Sequence, residues 1–306
     1  MQPLVVVSIV NWNTPEQTLA CLDSLRKLTY ENMRVIVVDN GSQDDSVTTI
    51  PGRTPEIKLI ISPENLGFAG GHTLALQQAQ LWDADAIWLV NSDAFVENDA
   101  LTRLVDAWKH HGDALYGGAP LQRRKDGSVL FDFPAKFLPP ESVPEAWQRD
   151  HEMIYDDKWR DRCPMRVGAL AGSTFFVPLN LVARYGWLDP VWFMYCEETD
   201  YCYRLRKQGV PRYLVPMSRV WHAAGGSHRG RARVTDVIQY YHARNEILLA
   251  QHHGKRGSAS VIAIKKALRG LANLPTNRTR AGYILRGALD GLRGFTGKRF
   301  SPEDFL

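Results

Sequence analysis

Glu197-Glu198-Thr199-Asp200 places three carboxylates within four residues, straight after the aromatic run Trp192-Phe193-Met194-Tyr195. An acid in apolar surroundings beside a like charge has its pKa raised toward the range of a general base. Acids in the first turn of a helix are also favoured by the helix dipole alone, so two readings stand here. Asp93 closes Asn91-Ser92-Asp93 after an apolar stretch. It is either an oxygen ligand for a hard cation, Mg2+ or Mn2+, or the cap of a following helix. His222, in Trp221-His222, would add an imidazole, and a carboxylate–imidazole pair favours Mn2+ somewhat over Mg2+. A lone histidine is as a rule structural, which is the competing reading.

Two more polar clusters follow apolar runs, Asn11-Trp12-Asn13-Thr14 and Asp39-Asn40-Gly41-Ser42. Either is a plain turn when taken alone, since Asn and Gly tolerate positive φ. Together with Asn91–Asp93 they would gather beyond the carboxyl ends of parallel strands, where open α/β sheets bind ligands. Asp39 could accept from an N–H of a nucleotide base. The stretch Asn65-Leu-Gly-Phe-Ala-Gly-Gly71 would let backbone approach a ligand closely. Neither GxGxxG nor GxxxxGK[ST] occurs, which argues against hydride transfer and ATP hydrolysis.

The elements that must position these groups read as α/β. Leu4–Val10 is a β-branched run suited to a strand buried on both faces, and Thr14-Pro15 caps a helix through Leu19, Leu22, Leu25 and Leu28. Strands are expected at 34–38, 57–61 and 86–90, with a helix over about 71–81, so βαβ crossovers imply a parallel sheet. Residues 120–165 predict a long irregular insertion. Strands at 168–177 and 212–220 flank a helix over about 197–208, and Thr235-Asp236 opens another helix reaching His252.

The 306 residues carry a net charge of +4, unevenly spread. Residues 251–306 hold eleven Lys and Arg against three acids, a net of +8 that leaves the first 250 residues at −4. Apolar and basic residues alternate there at helical spacing (Val261, Ile264, Leu268, Leu271; Ile284, Leu285, Leu289, Leu292). A basic amphipathic tail predicts a polyanionic partner, an anionic membrane surface or nucleic acid; packing on the catalytic domain with a solvated basic face is the plainer alternative. No aromatic-basic RNA signature accompanies it, so nucleic acid is not expected. Four cysteines without CxxC spacing read as reduced thiols of a cytoplasmic protein, and neither a signal peptide nor a membrane span is expected.

In order, VSIVNWNT, VVDNGSQDDS, PENLGFAGG, WLVNSDAFV, GWLDPVWFMYCEETDYCYRLRKQG, VWHAAGGS and YYHARNEILL resemble a family 2 glycosyltransferase of the GT-A fold, closest in flavour to bacterial rhamnosyltransferases and galactofuranosyltransferases. The resemblance implies a Rossmann-like, mostly parallel sheet flanked by helices, with a C-terminal helical extension. It implies a catalytic domain over 1–250, with a nucleotide-binding half (1–118) and an acceptor half (119–250), and a basic helical tail over 251–306. By the same resemblance Asp39 contacts the base, and Val10, Asn11 and Asn13 line its pocket. Asn65 and Gly67 lie beside the sugar. Asn91, Ser92 and Asp93 form the DxD-type strand end, with Asn91 replacing the first aspartate. Asp93 and His222 hold the metal. Glu198 takes the base position, commonly Asp in this group, so Glu197 and Asp200 remain alternatives. His72 stands where relatives often have Asn, which would alter contacts to the sugar.

The activity so implied is inverting transfer of a sugar, dTDP-L-rhamnose first and UDP-galactofuranose or another UDP-hexose next. The acceptor is a hydroxyl of a saccharide or lipid-linked saccharide in cell-envelope polysaccharide synthesis, including lipopolysaccharide. The expected place is peripheral, at the inner face of the plasma membrane. A non-catalytic nucleotide- or saccharide-binding protein on a degenerate version of the fold is the rival from another class. Arg244 and Asn245 either shape the site or face solvent.

Overall fold

The computed structural model describes residues 2–123, 127–131, 153–155, 159, 162–222 and 232–301. They form two compact units. One comprises Met1–Asn65, Gly71–Leu188 and Tyr201–Ser227; the other comprises Leu66–Gly70, Asp189–Asp200 and His228–Leu306.

The first unit is built on a mixed sheet. β1 (Val5–Asn11) lies parallel between β2 (Met33–Asn40) and β4 (Ala86–Asn91), and β3 (Lys58–Ser62) extends β2. Val5, Val6, Val7 and Ile9 are wholly buried, as a β-branched strand covered on both faces should be. Among the described residues the order continues through β10 (Thr174–Pro178), β6 (Leu115–Arg123) and β11 (Arg212–His222) to β5 (Ala94–Val96). β10 runs antiparallel to both neighbours, while β6 and β11 are parallel. Helices α1 (Pro15–Leu25), α2 (Ser46–Arg53), α3 (Gly67–Leu81), α4 (Ala100–His111) and α5 (Leu179–Tyr185) alternate with these strands. Leu19, Leu22, Leu25, Val37, Trp88, Leu104 and Phe176 share one core.

Several boundaries differ from expectation for local reasons. Pro15 opens α1, but Thr14 gives no side-chain cap, because its hydroxyl donates to Asn11 Oδ1 at 3.3 Å. α3 begins at Gly67, so the small residues read as a loop form its first turn. The strand expected from 168 starts only at Thr174, after a turn closed by Thr174 N donating to Ala171 O at 3.4 Å. β11 runs on to His222 past a register shift between Val215 and Arg219, which accommodates Pro216 and its missing N–H. The segment 120–165 is less irregular than expected. β6 continues to Arg123, and β7 (Val129–Phe131), β8 (Met153–Ile154) and β9 (Met165–Arg166) add to the same sheet. Most of the remainder lies outside the described residues.

The second unit contains the start of α6 (Glu197–Lys207) and the helices α7 (Ala232–His252), α8 (Arg256–Asn273) and α9 (Arg278–Arg293). α7 starts before Thr235, so Asp236 is no first-turn acid; its carboxylate pairs with Arg280 Nε at 2.7 Å instead. α9 is capped by Asn277, whose side chain accepts from Arg280 N at 2.9 Å, and ends at left-handed Gly294. Glycines let α9 approach α7, since a Cβ at Gly291 would lie 2.9 Å from Arg244 O. α8 packs through Ala259, Ala263 and Gly270, while Val261, Ile264, Leu268 and Leu271 stay between 51% and 61% exposed. Among the described residues no helix is long and apolar enough to cross a membrane.

Candidate active site

At the carboxyl end of the parallel strands, a buried polar network joins the tips of β1 and β2. Asn11 Nδ2 donates to Asp39 Oδ2 at 2.9 Å and to Ser42 Oγ at 3.2 Å, while Asn11 Oδ1 accepts from Thr18 Oγ1 at 2.7 Å. Ser42 N donates to Asp39 Oδ1 at 3.0 Å, closing the turn. Asn13 adopts φ 54°, donating from its backbone N to Ser42 Oγ at 2.9 Å and accepting from Gln43 N at 2.7 Å. Its amide nitrogen Nδ2 is buried with no hydrogen-bond partner among the described residues. A buried donor left unmet costs about 1–3 kcal/mol, and a bound ligand can supply the acceptor.

Asn65 joins the same edge, its Oδ1 accepting from Asn40 Nδ2 at 3.1 Å. Gly41, at φ 73°, permits this, because any Cβ there would lie 2.7 Å from Asn65 N. Val10 packs on Gly71, where a Cβ would come within 2.8 Å of Val10 Cγ2. His72 is not at this edge. It is buried with Nδ1 2.7 Å from the hydroxyl of mid-strand Ser8, and burial pushes its pKa down to about 3. The expected alteration of sugar contacts therefore does not arise from His72, which is a neutral interior group.

β4 ends at Asn91, Ser92 is buried, and Asp93 precedes β5. Asp93 is not the cap of α4; Asp99 occupies that position. Antiparallel pairing sets His222 opposite Ala94, so the backbone brings Asp93 and His222 to neighbouring register positions from distant parts of the chain. Burial pushes the Cys21 thiol up to about 12, helped by the negative charge of Asp93. A carboxylate and an imidazole are the donor types that would suit Mn2+ or Mg2+, and the pairing of β5 with β11 sets these two residues at neighbouring backbone positions. No group of three or more His, Cys, Asp and Glu side chains able to hold a metal occurs among the described residues.

The second unit presents a different arrangement. Asp189 accepts from Val191 N at 3.0 Å, and the loop after it is strained: Phe193, Tyr195 and Cys196 have φ of 62°, 65° and 77°. Such angles cost bulky side chains of order 1–3 kcal/mol each unless the surroundings impose them. Arg244 and Asn245 of α7 impose them, and both are wholly buried. Asn245 Nδ2 faces the carbonyls of Trp192, Met194 and Tyr195 at 3.0, 2.8 and 2.9 Å, and Arg244 Nη2 donates to Trp192 O at 3.0 Å. Gly67 is required at φ 73°, since a Cβ would collide with Phe193 O, and Phe68 N donates to that carbonyl at 2.9 Å.

This loop delivers Glu197 and Glu198 to the start of α6. Glu197 is 2% exposed, and its Oε2 has no hydrogen-bond partner among the described residues. Burial, and then the charge of Glu198, holds the Glu197 carboxyl well above the usual carboxylate range. Burial raises Glu198 as well. The two titrate as a pair. Asp200 is engaged elsewhere, its Oδ1 3.0 Å from His253 Nε2, with both side chains buried.

The first unit thus gathers Val10, Asn11, Asn13, Asp39 and Asn65 at one strand edge, and sets Asp93, in the turn before β5, at a backbone position next to that of His222 on β11. The second gathers Gly67, Glu197, Glu198 and Asp200. Sequence reasoning named Ser42 only as the end of a polar cluster, missed His253, and left Arg244 and Asn245 open. The one signal for the last two was a polar pair inside the otherwise apolar and aromatic YYHARNEILL.

The family model described as "Glycosyl transferase family 2" matches residues 6–175. A relative from Mycobacterium tuberculosis, "N-acetylglucosaminyl-diphospho-decaprenol L-rhamnosyltransferase", is 28% identical over 255 residues, which cover 76% of this chain and 79% of that protein. Among solved structures, the mannosyltransferase PcManGT from Pyrobaculum calidifontis, in complex with GDP-Man and Mn2+, superposes with a TM-score of 0.56 at 16% identity, over 95% of this chain and 88% of that one. GalNAc-T7 with UDP, GalNAc and Mn2+ also gives 0.56 at 16% identity, over 85% of this chain; the chain spans about half, 55%, of that structure's length. These likenesses bear out the GT-A fold.

Proposed function

The chain belongs to glycosyltransferase family 2 and is a glycosyltransferase, and on that premise we propose that it is an inverting, metal-dependent rhamnosyltransferase. In this reading it moves L-rhamnose from dTDP-rhamnose to a hydroxyl of a saccharide or lipid-linked saccharide during cell-envelope polysaccharide synthesis. The acid pair of buried Glu197 and half-buried Glu198, held by a strained and latched loop, carries the proposal. The orphaned oxygen of Glu197 and the raised pKa values of both acids support a general base for an alcohol at this pair. The name of the Mycobacterium tuberculosis relative supports rhamnose and a lipid-diphosphate acceptor. The Mn2+ in both structural neighbours supports the cation.

Asp39 and the Asn11–Asn13 turn bind the nucleotide, and Asn13 Nδ2 supplies a hydrogen bond that the protein itself leaves unused. Asn65 and Gly67 shape the sugar side, and Asn91 and Ser92 set the strand end that carries Asp93. Bound by Asp93 and His222, Mg2+ or Mn2+ would neutralise the diphosphate leaving group. Of this pair, Glu198 is taken as the base. Glu198 takes the proton of the acceptor hydroxyl as that oxygen attacks the anomeric carbon from the face opposite the nucleoside diphosphate. One displacement inverts the carbon, and no covalent sugar–protein bond forms. Residues 1–118 serve the donor in this reading, and 119–250 the acceptor.

The exposed stripe Val261, Ile264, Leu268 and Leu271 on α8 supports peripheral contact of the 251–306 tail with an anionic membrane at the cytoplasmic face. α8 contains no acid, and the one acid of α9, Asp290, is wholly buried. Ile264→Ser with Leu268→Ser should leave the melting temperature unchanged and abolish binding to phosphatidylglycerol vesicles. A screen of nucleotide-sugars for Mn2+-dependent thermal stabilisation tests the donor. The largest shift is expected with dTDP-rhamnose. A larger shift with UDP-galactofuranose would replace rhamnose, and no shift with any donor would return the chain to the non-catalytic rival.

A further inference from the structure

Beyond α9 the chain turns at Gly294 and is pinned within the second unit. Gly297 N donates to Val191 O at 2.6 Å, and Gly297 O accepts from Arg244 Nη1 at 2.6 Å. Tyr241 Oη donates to Phe300 O at 2.7 Å and accepts from Arg299 N and Phe300 N at 3.1 and 3.2 Å. The pinned segment and α9 enclose a cleft of about 480 Å³ lined by Arg286, Thr296, Lys298, Arg299 and Phe300.

Beneath this cleft lies Asp290, wholly buried. Its Oδ2 accepts from Tyr240 Oη at 3.0 Å, Arg286 Nε at 3.2 Å and Arg299 Nε at 3.1 Å. Both guanidinium groups are thereby held by their inner nitrogen. Their terminal nitrogens make no hydrogen bond among the described residues, and the two side chains remain 43% and 33% exposed. One carboxylate shared between two arginines leaves these three side chains with a net charge of +1, and Lys298 lines the same cleft. Pre-positioned guanidinium edges match phosphate oxygens in pairs, and the volume is ample for more than one phosphate.

Lys298 Nζ stands 5.7 Å from the ring centroid of Phe193, in the strained loop that leads into Glu197 and Glu198. The cleft is therefore tied to the acidic loop of its own unit. We propose that it binds the diphosphate of a diphosphate-linked acceptor and so presents the acceptor to that loop. The assignment to the acceptor rests on the transferase reading above; anion binding by the cleft does not.

Calorimetry on the full chain with inorganic pyrophosphate, in EDTA and saturating dTDP, tests the cleft directly. Lys298→Gln should weaken binding about tenfold and Lys298→Arg should restore it, as expected for one charge-assisted hydrogen bond. Unaltered pyrophosphate binding in Lys298→Gln, or none in the unmodified chain, overturns the proposal. Transfer assays then compare one acceptor saccharide as its lipid diphosphate and as a neutral alkyl glycoside. KM for the diphosphate acceptor should rise about tenfold in Lys298→Gln, with KM for the neutral glycoside and for the donor unchanged. Equal effects on both acceptors overturn the acceptor assignment. Lys298-dependent pyrophosphate binding without transfer from any donor would instead remove the transferase reading and keep the cleft. Binding to phosphatidylglycerol vesicles should be the same for Lys298→Gln and the unmodified chain; a parallel loss would make a phospholipid headgroup the ligand and overturn the proposal.

Discussion

The strand edge of the first unit and the acidic loop of the second handle polar groups in opposite ways. At the edge, Asn11, Asp39 and Ser42 meet one another at ordinary hydrogen-bond distances, and Asn13 Nδ2 is the donor left over. In the loop, backbone angles are forced, Glu197 Oε2 is orphaned and two carboxyls are held above their ordinary range. A satisfied network is rigid and specific, which suits recognition of a base and sugar. An unsatisfied, desolvated acid is costly in the resting protein and becomes useful when a proton arrives. Under the proposed function, binding falls to one region and chemistry to the other.

The strongest way to break this comparison is at Glu198. Glu198→Gln should lower transfer by roughly 10²–10⁴-fold, the usual worth of a general base, as read by release of nucleoside diphosphate. The same step gives the pH dependence a sign. Because burial raises the pair, transfer should climb with pH as Glu198 sheds its proton above the ordinary carboxylate range, and Glu198→Gln should flatten that limb of the profile.

Asn245→Ala comes next. It frees three loop carbonyls that Asn245 Nδ2 now meets. Stability should fall by about 1–3 kcal/mol in urea unfolding, and kcat should drop while donor binding holds. Equal losses of kcat and donor affinity would mean that the two regions are not functionally separate.

At the strand edge, Asp39→Asn should weaken donor binding about tenfold in a titration, with kcat at saturation nearly unchanged. The smallest effect sharpens the contrast through stability. Glu197 has a raised pKa in the folded chain, so its contribution is fully present below the ordinary unfolded value near ~4.3 and is lost as pH rises through the raised value. Glu197→Gln removes that loss. The variant should be more stable than the unmodified chain at pH 7, by about 1 kcal/mol, and no more stable at pH 4.

Much of the strand edge was legible in the sequence, because β-branched runs ending in Asn, Asp and Gly report strand, burial and turn through local chemistry. Glu197, Glu198 and Asp200 were legible as acids at a helix start for the same reason. What joins them was not. Asp93 and His222 become neighbours only through the pairing of β5 with β11, which the chain between them hides. Asn245 acts on carbonyls 50–53 residues away, and His253 reaches Asp200 across 53. The tail shows the converse case. Its helical period was plain, yet Val261, Ile264, Leu268 and Leu271 point to water, because Ala259, Ala263 and Gly270 allow closer packing on the other face.

The division between a binding edge and a chemical loop is tested most directly by the thermal stabilisation that dTDP-rhamnose with Mn2+ gives to Glu198→Gln and to Asp39→Asn. The account predicts a full shift without transfer in Glu198→Gln and a diminished shift in Asp39→Asn. Near-normal transfer by Glu198→Gln, or loss of its donor-induced shift, would contradict it.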